Sequence, residues 1–410
     1  MSKRRLVRAA AAFTGLALLV AACGDDDDTG TTDTTAAGGA TETTAASGGE
    51  GEGEATEFSI AFVGPLTGDA ANLGIYIRDG ARVAVEQFNE EHPEFNITLE
   101  EFDTQGDPAQ APTVLDEYIS DENILGLVGP AFSGETRAVL PTLEEEGLVM
   151  VSASATNVEL PTVVPDNTVF HRVLPDDAAQ AAGVAQYLTT TLQPATIAIV
   201  HDNSEYGKGL AEDQLVPLLE GIEVVATEVI DPASQDYSSA VNAVRDSGAE
   251  AVFFGGYYEQ AGRLRRQLVD AGVDATFISG DGALDQGFVE AAGDAAEGAL
   301  LSCPCFFASE AAEDPAIAEF AAAYEEINGS VPGTYSTEAF DAANVLLNGI
   351  LEGATDRASM LEYVEGLTEV PYAISKEVVF QENGNIEAQG IFIFTVEEGS
   401  IVLEVATDEL

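Results

Sequence analysis

From Phe58 onward, apolar and polar positions alternate with two different periods. Short runs that are apolar at nearly every position, such as Ser59-Ile60-Ala61-Phe62-Val63-Gly64, read as strands buried on both faces. Longer stretches between them carry apolar residues on one side only, as Asp79 to Glu90 does with Ala81, Val85 and Phe88, and these read as amphipathic helices. The spacing predicts further strands at Ile97 to Phe102, Ile124 to Gly129 and Leu148 to Ala153, with helices at Ala109 to Ser120 and Glu135 to Glu146. That rhythm means a parallel sheet covered by helices on both faces.

The alternation restarts after Pro175. Helices are expected at Asp177 to Thr190, Lys208 to Leu219, Ser238 to Ser247 and Glu259 to Ala271. Strands are expected at Thr196 to Val200, Ile222 to Val229, Ala251 to Gly255 and Thr276 to Ser279, which makes a second, similar α/β lobe. Beyond Ala299 come another strand and helices at Pro315 to Asn328 and Thr337 to Leu351. At the end, Glu377 to Phe380 and Gly390 to Val396 flank Asn383-Gly384, a pairing that predicts an antiparallel hairpin.

The first 57 residues follow another logic. Lys3, Arg4, Arg5 and Arg8 precede an uncharged run from Ala9 to Ala22 and then Cys23, the layout of an export signal over residues 1–22. The run is too short to span a bilayer comfortably. Val20-Ala21-Ala22-Cys23 resembles a bacterial lipobox, which implies lipid on Cys23 and anchoring to the outer face of the cell membrane. Residues 23–57, acidic and rich in Thr and Gly with no large apolar side chain, cannot bury enough surface to fold. They read as a disordered tether that would span roughly 30 Å as a flexible coil.

Charge narrows the function classes. Fifteen Lys and Arg stand against 72 Asp and Glu, a formal charge of −57, and such a surface repels phosphate backbones, so nucleic acid is excluded as a partner. Cys303 and Cys305, in Ser302-Cys303-Pro304-Cys305, leave open a disulfide, two buried thiols, or a metal or redox role. Their place between the second lobe and the helices that resume the first puts them at the third of the expected crossovers between lobes.

No catalytic apparatus is visible. His92, His171 and His201 are scattered without metal-ligand spacing, no Gly-x-Ser-x-Gly elbow occurs, and Gly207-Lys208-Gly209 lacks the rest of a phosphate loop. No cofactor, no metal and no enzymatic activity are expected.

Small polar residues recur instead at the C-terminal ends of the expected strands, where open α/β sheets bind ligands. Phe132-Ser133-Gly134 opens a helix and offers a hydroxyl with free N–H groups to an anion. Ser152 to Asn157 ends the next strand, and the second lobe supplies His201 to Gly207, Gly255-Gly256-Tyr257 and Gly280-Asp281-Gly282. Tyrosine offers an aromatic wall with a polar tip, and Asp281 suits an ammonium.

The segments Phe62 to Gly68, Leu127 to Pro130, Ile199 to Asp202 with Tyr206 to Gly209, and Phe254 to Tyr257 together resemble, in order and spacing, the leucine/isoleucine/valine-binding family of type I periplasmic solute-binding proteins. The resemblance covers nearly all of Phe58 to Val405. It implies two Rossmann-like, doubly wound lobes joined by a three-strand hinge, one from 58–176 and 305–372, the other from 177–304 and 373–410. It implies a monomer that captures an amino acid, branched-chain type, between the lobes and delivers it to an ABC permease with its ATPase.

The resemblance also implies roles. Ser133 would bind the ligand α-carboxylate; the Ser154 carbonyl, the Thr156 hydroxyl and Asp281 would take the α-ammonium. Tyr206 and Tyr257 would close over the ligand, with Phe132 and Tyr335 near its side chain. Two departures stand out: Leu73 replaces an aromatic of the best-known members, and Asp281 is one methylene shorter than their glutamate. Relatives also bind amides, urea and aromatic acids. The same lobes serve as ligand-sensing receptor components, although a sensor would continue into a transmembrane helix and a cytoplasmic module where this chain ends at Leu410.

Overall fold

The computed structural model describes residues 55–410 apart from 306, 310, 371, 372, 376, 377, 388 and 389. Cys23, the export signal and nearly all of the tether lie outside the described residues. Five strands, β1 (Thr56–Gly64), β2 (Phe95–Asp103), β3 (Ile124–Val128), β4 (Met150–Ser152) and β5 (Phe170–Arg172), form an all-parallel sheet in the order β2-β1-β3-β4-β5. Every residue of β3 is buried, as a central parallel strand covered on both faces requires. Helix α1 (Ala71–Glu91) shares one buried cluster with this strand, and α2 (Ala111–Ile119) and α3 (Ser133–Glu146) share the other.

The second sheet has seven strands. β6 (Thr196–His201), β7 (Glu223–Val229), β8 (Ala251–Gly255), β9 (Thr276–Ser279) and β10 (Leu300–Cys303) run parallel in the order β7-β6-β8-β9-β10. β11 (Phe392–Glu397) joins β10 antiparallel, and β12 (Ser400–Ala406) closes the edge against β11. Helices α4 (Asp177–Tyr187), α5 (Glu205–Lys208), α6 (Ser238–Ser247), α7 (Tyr258–Asp270) and α8 (Gln286–Ala292) belong to this half. Helices α9 (Pro315–Asn328), α10 (Ser336–Leu351) and α11 (Arg357–Gly366) follow β10 in the chain, yet α9 packs on α1, α10 on α1, β3 and β4, and α11 on β3. No helix among the described residues is long and apolar enough to cross a membrane.

Several expectations change. α1 begins at Ala71, eight residues before Asp79, because Leu73, Gly74 and Ile77 extend the buried face through a first turn without charges. Lys208 to Leu219 is no single helix: α5 passes into a π-helical stretch, Gly209–Leu215, and a 3₁₀ turn, Val216–Leu218, that accommodates Pro217. The terminal antiparallel pair turns at Glu398-Gly399, both at positive φ (50° and 76°), rather than at Asn383-Gly384. A tight turn does form at Asn383-Gly384, with the Gln381 N–H donating to the Asn385 carbonyl at 2.8 Å and the Gly384 N–H to the Gln381 carbonyl at 2.9 Å, but it joins the short bridge Phe380↔Ile386 rather than β11, and the Gly384 carbonyl accepts from the Arg172 N–H at 3.0 Å. Cys303 and Cys305 are joined by a disulfide. They sit where the chain leaves β10 for α9, the second of three passages between the sheets and not the third, since the first runs from β5 to α4 and the last from α11 to β11.

Candidate functional site

In both sheets the strand order reverses beside a central strand, between β1 and β3 and between β6 and β8, and the polar residues gather at the C-terminal ends of these strands. Such switch points leave a crevice in the sheet edge. The two crevices face each other. A small cavity between them is lined by Phe132, Ser133, Ser154, Tyr206, Tyr257, Gly282 and Tyr335.

From the first sheet, the turn after β3 delivers Ser133 as the first residue of α3, where the N–H groups of the opening turn lack intrahelical partners. Glu135 fixes that turn from below: fully buried, it accepts from the Phe132 N–H at 2.9 Å and from the Thr104 hydroxyl. Burial pushes its carboxyl up to about 7, against the pull of those two donors. The Ser133 hydroxyl accepts from the Asn157 N–H at 3.2 Å, tying α3 to the segment after β4. In that segment the Ser154 hydroxyl is committed to the Ala131 carbonyl at 2.6 Å, whereas the buried Thr156 hydroxyl faces the Asp177 carboxyl.

From the second sheet, Asp281 opens a 3₁₀ turn after β9 and is fully buried. Its two oxygens each accept a phenol, Tyr206 Oη at 2.6 Å and Tyr335 Oη at 2.6 Å. Burial raises the Asp281 carboxyl, and the hydrogen bonds from Tyr206, Tyr335 and Gln180 pull it back. Both phenols are themselves held well above their ordinary range by burial, so they remain protonated and donate. Tyr206 also accepts from the Gly282 N–H at 2.9 Å; a Cβ on Gly282 would lie 2.7 Å from the Tyr206 ring, so the glycine is what lets the phenol reach that turn.

Aromatic rings bridge the halves. Tyr257, capping α7, has its centroid 4.5 Å from Phe132 and 5.4 Å from Tyr206. Tyr335 precedes α10 at φ 68°, a left-handed conformation that costs a bulky residue on the order of 1–3 kcal/mol. Leu73 is fully buried in the apolar core and does not line the small cavity.

Of the eight residues singled out as ligand-binding, six line the cavity, Asp281 is bonded to two of them, and Thr156 connects to that group through Asp177. Sequence reading passed over the groups that hold them. Glu135 and Thr104 set the α3 turn. Arg172, fully buried, donates to the Ala155 and Asn157 carbonyls at 3.0 Å each. Asn157 crosses to the Glu205 carbonyl at 2.8 Å, and Asp177 and Gln180 stand behind Asp281. A charged residue inside an apolar run, as in Phe170-His171-Arg172-Val173, was the available signal for Arg172. His171 and His201 are structural in position: burial lowers the first to about 4, and the second bonds Glu212 at 3.1 Å.

A family model described as periplasmic binding protein matches residues 57–400. The Leu/Ile/Val-binding protein BraC3 of Rhizobium johnstonii is 31% identical over 84% of this chain and 93% of its own length. The leucine-, isoleucine-, valine-, threonine- and alanine-binding protein of Pseudomonas aeruginosa is 30% identical over 84% of this chain and 90% of its own. Among solved structures, the leucine-binding protein LivK of Thermotoga maritima superposes with a TM-score of 0.76 at 25% identity, covering 86% of this chain and 100% of that one. The branched-chain amino acid substrate-binding protein LivJ of Streptococcus pneumoniae, solved with isoleucine, shares the fold with a TM-score of 0.77 at 22% identity, over 86% of this chain and 99% of that one.

Proposed function

This chain belongs to the periplasmic binding protein family, and from that premise we propose that it is the extracytoplasmic receptor of an ABC importer, capturing a branched-chain type amino acid between its lobes. The observation that carries this reading is the polarity of the cavity. The helix start at Ser133 offers N–H groups and a hydroxyl to an anion, while Asp281 supplies a carboxylate from the other lobe. An α-amino acid presents a carboxylate and an ammonium on adjacent atoms, and the two ends suit those charges. Phe132, Tyr257 and Tyr335 surround the remaining space with aromatic carbon, which favours an apolar side chain.

The roles follow. Ser133 takes the α-carboxylate; the Ser154 carbonyl, the Thr156 hydroxyl and Asp281 take the α-ammonium; Tyr206 and Tyr257 close over the ligand. The protein binds its solute without converting it, and the closed form of the monomer docks on a permease with its ATPase. A lipid on Cys23 holds it at the outer face of the membrane. The names of the relatives support the ligand class. Calorimetric titration of the purified protein with the twenty amino acids, small amides, urea and aromatic acids tests it: leucine, isoleucine or valine should bind most tightly, and preference for an amide or aromatic acid would refute the reading.

A further inference from the structure

The disulfide between Cys303 and Cys305 joins residues two positions apart, and both are buried. A link this short closes a very small loop, and the entropy that a link removes from the unfolded chain grows with loop length. Global stability is therefore a weak account of it. Nor does β10 need it: Cys303 already pairs with Phe392 of β11, and Leu300 and Leu301 with Ile278 and Ser279 of β9.

Its place in the chain supplies a better account. The other two passages between the sheets are held to the first lobe and to each other. Val173, just past β5, donates its N–H to the Ser152 carbonyl at 3.1 Å, and the Arg172 N–H binds the Gly384 carbonyl of the third passage at 3.0 Å. Earlier in the third passage, the Asp341 carboxyl of α10 accepts the Ile374 and Ser375 N–H groups at 2.8 and 3.0 Å. That passage lands on the second lobe at Ile391, packed so closely on α4 that a Cβ on Gly183 would lie 2.7 Å from the Ile391 Cβ. The second passage is restrained from within. The disulfide, with the Cys305 N–H donating to Cys303 Sγ at 3.2 Å, fixes the backbone as it leaves β10. The Phe307 ring, 5.3 Å from Phe394 of β11, then holds the chain to the second sheet. Bending is thereby confined to the stretch between Phe307 and the start of α9 at Pro315.

We propose that Cys303 and Cys305 are positioning residues for ligand capture: their bond limits how far the second passage can unwind, and so how far the lobes open. This rests on the solute-receptor reading and adds a redox dependence to it. A dithiol breaks the bond in two exchanges. One of its thiolates attacks a cysteine sulfur and expels the other cysteine, and its second thiol then expels the first cysteine as the reductant closes to a cyclic disulfide. The dithiol's two electrons and two protons end on the cysteines as two thiols. Once freed, the passage gains backbone conformations that the open form can use and the closed form cannot, which favours opening. A ligand that binds the closed form is then held more weakly.

The test compares the oxidised protein, the protein reduced with dithiothreitol, the same protein re-oxidised, and the double variant Cys303→Ser, Cys305→Ser. Mass mapping of the 303–305 peptide fixes the state of the bond, X-ray scattering gives the unliganded radius of gyration, and calorimetry gives leucine affinity. The reduced protein and the double variant should both have the larger radius and bind leucine roughly 10-fold more weakly, the equivalent of one residue's backbone freedom. Re-oxidation should restore both values. Reduced protein that keeps its affinity and its radius, whatever its melting temperature, would overturn the proposal. So would a bond that dithiothreitol leaves intact in the folded protein, or loss of the fold on reduction, which would make the bond's role one of global stability. Oxidised protein that does not bind leucine would count against the receptor reading instead, and the radius of gyration would still decide the hinge.

Discussion

Tyr335 reaches from the first lobe to Asp281 in the second, its hydroxyl 2.6 Å from Oδ2, and it does so from a left-handed backbone position. Strain at one end and a buried charge-assisted hydrogen bond at the other make this contact a latch between the lobes. Tyr335→Phe removes roughly 1.5–3 kcal/mol from the closed form. The unliganded variant should therefore scatter X-rays with a larger radius of gyration, and ligand affinity should fall in proportion to the lost closed population. A scattering curve identical to that of wild type would refute the latch.

Asp281→Asn keeps an acceptor for one phenol but removes the charge. Amino-acid affinity should fall roughly 10- to 100-fold, while the unliganded protein should melt at the same or a higher temperature because burial disfavours the charged carboxylate. Calorimetry and thermal unfolding of the same preparation check both, and unchanged affinity would sink the ammonium role.

Glu135 and Asp341 are fully buried and both pushed up to about 7 by burial, Asp341 against donors from Ser375 and Ile374. Their folded values exceed their unfolded ones, so the native state holds more protons between those values. Stability is greatest below the unfolded pKa and is lost as pH rises through about 7, on the order of 2 kcal/mol for each group. Melting temperature should fall from about pH 5 to about pH 8, and Glu135→Gln should flatten that fall. An equally steep fall in the variant would show that Glu135 does not contribute.

Cys23→Ala should move the protein from membranes to the soluble fraction of a fractionated culture. Equal partition of variant and parent would exclude lipid anchoring through Cys23.

The strand ends were legible because parallel strands buried on both faces read as continuous apolar runs, and topology brings the polar residues that follow β3, β4, β6, β8 and β9 to the sheet edges around the small cavity. The supporting shell was not. Asp177 and Gln180 look like ordinary first-turn helix residues, and Arg172 acquires its meaning only when β5 pairs with β4 and brings its guanidinium under the Ala155 and Asn157 carbonyls. The final pairing was misplaced because Asn-Gly is the stronger local turn signal, while β10 offers β11 an open edge that no local pattern announces.

The disulfide-bearing passage from β10 to α9 has a consequence for assembly. Helices α9, α10 and α11 complete the first lobe only after the parallel strands of the second have been made, and β11 and β12 complete the second only after those helices. Each lobe is sewn from non-adjacent lengths of chain, so neither can finish its core as the polypeptide emerges from its N-terminus. The first core stays open until α11 ends at Gly366, and the second waits for the last forty or so residues, about a tenth of a 410-residue chain. A chain with this order of stitches is suited to being threaded through a narrow channel unfolded and set in shape only on the far side.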